Sequence, residues 1–241
     1  MIRAVAFALA LLPGPLWAQD HAEEDFVSAN VLSIFYHEFG HALIDILQLP
    51  VFGQEEDAAD VASILLIDGL FEETGAQAIA RDAALGFAAE AELYDGEETA
   101  WWSEHGPDLQ RFYNLVCLFY GANPEARDDF AQDMGLPAER ADTCPEEFDL
   151  AYDSWGPVFD ELTDGSHARH IDFEAANESL LARTVAEEVS ALNKELRLPD
   201  RLRVTVESCG AANAFYDLDA KQIIMCTEFE SHLRDLFALS R

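Results

Sequence analysis

From Asp25 to about Leu47, apolar side chains recur at helical spacing: Phe26, Val27, Val31, Ile34, Phe35, then Leu43, Ile46 and Leu47. That period specifies one long, mostly buried helix ending before Pro50. After the short connection Leu49-Pro50-Val51-Phe52-Gly53, a second helix is expected from near Glu55 through Ala58, Ala59, Ala62, Leu65 and Leu66 to about Leu70. Similar patterns predict helices over Ala76–Tyr94, Gln110–Tyr120, Pro145–Leu162 and Glu174–Leu196, with turn-rich stretches such as Gly121-Ala122-Asn123-Pro124 between them. The last portion changes character. Arg203-Val204-Thr205-Val206-Glu207 alternates like a half-exposed strand, and Lys221 to Cys226 follows a turn around Asp217-Leu218-Asp219, so the two runs suggest paired strands. The expected architecture is α+β, helix-rich, with a small sheet drawn largely from the C-terminal segment.

The first helix carries chemistry. His37 and His41 are four residues apart and project from one helical face, a spacing that lets two imidazoles reach a single zinc ion at about 2 Å. Glu38 is rotated off that face, where it can hold a water for the metal to activate without itself being a ligand. Gly40 keeps the helix surface thin for a strand or substrate backbone to approach. Two histidines alone are also what an ordinary helix face offers. The second helix adds Glu56, fifteen residues after His41, and Asp60 one turn further on. Glu56, Ala59, Asp60 and Ser63 form a stripe of mostly small residues that permits close helix contact, so Glu56 can complete a His-His-Glu set with a fourth position open. Asp60 is then placed to accept the other N–H of a ligand histidine. Glu55 and Asp57 read as an acidic helix start, favourable to the helix dipole.

The chain's ends and bulk properties bound the setting. Half of its 241 residues are hydrophobic, so it is globular. The net charge of −33 repels nucleic acid and implies a heavily solvated acidic surface. Arg3, the apolar run Ala4–Leu12, the break Pro13-Gly14-Pro15 and the small residue Ala18 compose an export signal over residues 1–18, leaving 19–241 as a single domain with no membrane span in the mature chain. The expected location is periplasmic or secreted. Cys117, Cys144, Cys209 and Cys226 allow three pairings, of which local spacing favours Cys117–Cys144 and Cys209–Cys226.

His37-Glu38-Phe39-Gly40-His41 followed by Glu56-Asp57-Ala58-Ala59-Asp60 resembles the Glu-zincin pattern, and most closely a bacterial family of metallopeptidase type defined as a domain of unknown function. The resemblance extends through Trp101-Trp102-Ser103-Glu104-His105, Gln110 to Asn114, Cys117, Tyr120-Gly121, Cys209-Gly210, Asn213 to Tyr216 and Cys226. It implies a zincin-like fold and hydrolysis of a peptide or protein substrate, with His37, His41 and Glu56 holding Zn²⁺ and Glu38 as general base. His105-Gly106 with Gln110-Arg111 is similar to an element that lies near the metal in other zinc peptidases. It makes His105 the candidate for stabilising an oxyanion, against the plainer role of capping a turn, while Arg111 is expected to hold acidic neighbours. Asn213-Ala214-Phe215 resembles the edge-strand element of those proteases, although there it precedes the metal-binding helix. The plain alternative is a turn between two disulfide-linked strands. Trp101 and Trp102 either line a cleft or pack under their loop, and His167 and His170 read as exposed loop residues. The competing function is a non-enzymatic, zinc-stabilised extracytoplasmic binding module, which would leave Glu38 without a task.

Overall fold

In the computed structural model, which describes residues 16–94, 96 and 98–240, the histidine-bearing segment is a single helix, α1 (Leu16–Ile46). It starts ahead of Asp25 because no glycine or proline interrupts residues 16–39. Most of the export signal expected over residues 1–18 lies outside the described residues, and Leu16 to Ala18 form the first residues of α1. Phe26, Val27, Val31, Phe35, Tyr36, Phe39 and Leu43 are all essentially inaccessible. A helix apolar on so many sides must be covered on as many: α1 packs against α2 (Glu55–Leu70), α3 (Glu73–Leu93), α8 (Leu180–Glu195), α9 (Glu228–Leu239) and the sheet.

At the contact with α2, the two helix backbones approach each other closely. A Cβ placed on Gly40 would lie 3.0 Å from the Ala59 Cα and 3.2 Å from the Ala62 Cβ. The thin surface at Gly40 therefore admits α2, and not the strand or substrate expected from the sequence. Ser63, in the same small-residue stripe, donates its hydroxyl to the Ser33 carbonyl at 2.8 Å. Beyond α3, helix α4 (Asp108–Ala122) is joined by the Cys117–Cys144 disulfide to the first residue of α7 (Cys144–Thr163). The stretch Gly121 to Pro124 is a helix junction: Asn123 caps a further helix, α5 (Pro124–Asp133), whose first residue is proline. A one-turn helix, α6 (Ala138–Ala141), precedes α7.

The continuous helix expected over Glu174–Leu196 is divided. Ile171–Ala175 is strand β1, and α8 starts only after Ser179, whose side chain caps it by accepting from the Ala182 N–H. Pairing with a neighbour decides the matter, since β1 runs parallel to β2 (Leu202–Glu207) from Ile171↔Leu202 to Ala175↔Val206. The two anticipated strands do pair, β2 with β4 (Gln222–Cys226), but in parallel, because β3 (Ala214–Asp217) intervenes in the chain and runs antiparallel to β4. The sheet order is β1-β2-β4-β3, which places Ala214–Asp217 on an edge as a strand and not as a mere turn. The second disulfide, Cys209–Cys226, ties the loop before β3 to the end of β4. Helix α9, absent from the sequence reading, buries Leu233, Leu236 and Phe237, with the Phe237 ring 5.4 Å from that of Phe26. The whole is helix-rich α+β with its small sheet from the C-terminal part, as the patterning indicates.

Candidate metal centre

Helical spacing sets His37 and His41 on one face of α1, and the close α1–α2 contact brings Glu56 up to them. The two Nε2 atoms lie 3.2 Å apart, and the Glu56 Oε2 is 3.1 Å from that of His37 and 3.3 Å from that of His41. Donors about 2.0–2.2 Å from one ion in tetrahedral directions stand about 3.4 Å from each other, so this triangle has the dimensions of one face of such a site. Its donor chemistry, two imidazoles and a carboxylate, also suits a divalent ion. Among the described residues these three form the cluster of His, Cys, Asp and Glu able to hold a metal ion.

Each imidazole is oriented from behind. The His37 Nδ1 lies 2.7 Å from the Asp60 Oδ1, and the His41 Nδ1 lies 2.9 Å from the Glu55 Oε1. A carboxylate at Nδ1 keeps the proton there and turns the Nε2 lone pair toward the triangle. Asp60 holds the position expected of it. Glu55 does more than start a helix, and the only sign in the sequence is its place beside Glu56 in the first turn of α2. Asp60 in turn receives Arg111 Nε at 2.8 Å and Nη2 at 2.7 Å, and the guanidinium lies over the Phe87 ring at 4.4 Å. Arg111 therefore holds an acidic neighbour, as anticipated. Burial alone would raise the Asp60 pKa, but Arg111 and His37 outweigh it and hold the carboxyl well below its usual range. Burial likewise opposes charge on His37, yet the bonds to Asp60 and Glu56 carry its pKa up to about 9. Glu56 is held far down by its bonds to His105, His37 and His41.

Glu38 is 6% exposed and lines the cleft beside the triangle, and none of the described residues donates a hydrogen bond to its carboxylate. Burial raises its pKa, against the pull of His37 and His41. The neighbouring His105, in the loop before α4, reaches the same centre: its Nε2 is 2.8 Å from the Glu56 Oε2 and its ring centroid 5.9 Å from that of His37. The turn-capping alternative is thus not its only contact. Trp101 and Trp102, 78% and 80% exposed, neither line the cleft nor pack beneath the loop. His167 pairs with Glu161 at 2.9 Å, and neither it nor His170 joins the centre.

The centre opens into a cleft of about 1230 Å³ whose walls come from α1, α3, α9, the loop bearing His105, and the edge strand β3 with Asn213. Glu90 of α3 and His232 of α9 meet in it at 2.5 Å, a pair that no local pattern foretells. No helix among the described residues is long and apolar enough to cross a membrane.

No curated protein and no solved structure matches the chain. Residues 16–158 and 167–241, which include α1, α2, His105 and the sheet, match the model of the DUF4344 family, described as "Putative metallopeptidase", and the chain belongs to that family.

Proposed function

We propose that this protein is an exported zinc metallopeptidase of the Glu-zincin type, with His37, His41 and Glu56 as metal ligands and Glu38 as general base. The observation that carries the reading is the carboxylate of the largely buried Glu38, which faces the cleft beside a ligand triangle. A site that merely staples a fold has no use for such a group, and it usually fills its fourth position with protein. Zinc bound there supplies Lewis acidity, bringing the pKa of a water toward about 7 and polarising the scissile carbonyl.

The protein's own groups supply the rest. Glu38 accepts a proton from the water as its oxygen attacks the carbonyl carbon, then delivers that proton to the amine nitrogen as the C–N bond breaks. Its raised pKa, a consequence of burial, suits a group that must both take and give a proton. With Glu56 engaged as a ligand, His105 is the nearby donor left for the developing oxyanion. Asp60 and Glu55 keep the two imidazoles in the tautomer a metal needs. The free side of β3 offers backbone N–H and C=O groups with which an extended peptide can pair. The two disulfides and the apolar N-terminal run agree with an extracytoplasmic location.

Glu38→Gln is the decisive variant. It should retain zinc and fold while peptide turnover falls by roughly 100-fold or more, and His105→Ala should slow turnover with zinc retained. If fully zinc-loaded wild type cleaves nothing across a broad peptide library, the protein is instead a zinc-stabilised binding module.

A further inference from the structure

The edge strand β3 is pinned to the histidine-bearing helix by a side chain. The strand has four residues and a ladder on one side only, from Ala214↔Met225 to Asp217↔Gln222. Its faces alternate: Phe215 lies on one and is 39% exposed, whereas Tyr216 lies on the other. The Tyr216 hydroxyl donates to the Asp45 Oδ2 of α1 at 2.8 Å, and Tyr216 borders the same cleft as His37 and His41. Among the described residues this is the one side-chain hydrogen bond linking β3 to α1, and no other group donates to the Asp45 carboxylate. Asp45 lies in the last turn of α1, one turn beyond His41. A carboxylate there meets the negative end of the helix dipole, so the helix itself gains nothing from it. Its partner on the sheet accounts for it instead.

We infer that Tyr216 and Asp45 form a tether that sets the distance between the peptide-binding edge strand and α1, which makes Tyr216 a positioning residue for the reaction. This inference deepens the peptidase reading and rests on it. A peptide paired with β3 takes its position from β3, whereas His37, Glu38 and His41 take theirs from α1. The offset between the two elements therefore decides where the scissile carbonyl lies relative to the reacting groups, and an error of about 1 Å costs about 100-fold in rate. Asp45 stands about 6 Å along the helix axis from His41, near enough to fix that offset from behind. A strand laddered on one edge can turn about its neighbour unless both of its ends are held. The Cys209–Cys226 disulfide anchors the loop that enters β3, and Tyr216, next to last in the strand, anchors the other end. Burial, and then Asp45, raises the Tyr216 pKa, so the hydroxyl keeps the proton it donates.

The test uses full-length, zinc-loaded protein and decapeptides from an arrayed library. Tyr216→Phe removes the hydroxyl and keeps the ring, Asp45→Ala removes the acceptor, and Asp45→Asn keeps an oxygen that can accept. For a decapeptide that the wild type cleaves, Tyr216→Phe and Asp45→Ala should each lower kcat about tenfold with KM within about twofold. The double variant should lose no more than either alone, and Asp45→Asn should stay near wild type. Melting temperatures should fall by no more than about 4 °C, the scale of one partly exposed hydrogen bond. Tyr152→Phe, the same change on an exposed ring of α7 outside the cleft, should alter nothing. A second readout needs no turnover. In Glu38→Gln protein carrying cobalt in place of zinc, visible absorption changes when a peptide group reaches the metal. The tightest-binding labelled decapeptide, found by anisotropy, should keep its Kd within about twofold when Tyr216→Phe is added, while most of the absorption change is lost. Unchanged kcat in Tyr216→Phe, or a loss carried by KM alone, overturns the tether and leaves the peptidase standing. Absence of cleavage by wild type, with the binding and absorption results as expected, sinks the peptidase and keeps the tether. If no decapeptide binds, β3 holds no peptide and the inference falls.

Discussion

At the scale of single residues, the geometry of the proposed centre is governed by what stands behind its two imidazoles. Asp60 satisfies two buried groups at once, the Nδ1 of His37 and the Arg111 guanidinium, whereas Glu55 supports His41 from a side chain 47% exposed. The two carboxylates therefore differ in consequence. Asp60→Ala should weaken zinc affinity about 10–100-fold. It should also cost about 3 kcal/mol of stability, since Arg111 is left as a buried charge without its partner. Glu55→Ala should cost less than about tenfold in affinity, because water can replace an exposed carboxylate. Competition with a chromophoric chelator, alongside thermal melts, measures both, and equal losses for the two variants would refute the ranking. Asp60 could be read in the sequence from its place one turn after Glu56. The role of Glu55 could not, since its contact depends on the angle at which α2 meets α1.

Among elements, the α1–α2 contact decides whether the triangle exists. The added Cβ in Gly40→Ala would meet the Ala59 backbone, which cannot rotate away as a side chain would. The helices should part slightly, costing about 1–3 kcal/mol, and Glu56 should be drawn off the histidines. Zinc affinity should fall more than the melting temperature suggests, and unchanged affinity would show that the spacing at Gly40 is immaterial. The α1–α3 packing carries a penalty of its own. The carboxyl of Asp82 on α3 is pushed up to about 6, chiefly by burial and then by Asp25 on α1, with Arg81 opposing. The folded state thus disfavours its charged form, so stability falls as pH rises from the ordinary 3.8 through about 6. Asp82→Asn should raise the melting temperature at neutral pH, with the gain vanishing near pH 3.8. Its backbone carbonyl, which accepts from Asn30, is untouched. A gain equal at both pH values would exclude this cause.

For the whole molecule, 47 acidic residues against 14 basic ones give a net charge of −33, and the folded chain concentrates that charge in a smaller volume than the unfolded one. Raising salt from about 0.01 M to about 1 M shortens the screening length from about 30 Å to about 3 Å. The melting temperature should therefore rise with sodium chloride, most steeply at the low end. A flat response would mean that the carboxylates are already compensated within the fold.

The sequence by itself determined the features whose causes are local. Helical period and spacing placed His37, Glu38 and His41 on one buried helix, put Glu56 and Asp60 one turn apart on the next, and paired the cysteines nearest in the chain. Composition and patterning were enough for a helix-rich α+β chain with a C-terminal sheet. Tertiary structure decided whatever depends on a partner far along the chain. Ile171–Ala175 is a strand because β2 lies beside it, Ala214–Asp217 is an edge because the parallel β2–β4 pairing leaves it outermost, and the amphipathic α9 earns its helix by covering α1 and α3. The meeting of Glu90 with His232, 142 residues apart, belongs to the same class. Contacts within a turn or two are set by backbone geometry that every residue shares, whereas contacts across the fold are chosen by packing, which acts on surfaces that exist only once the elements have met.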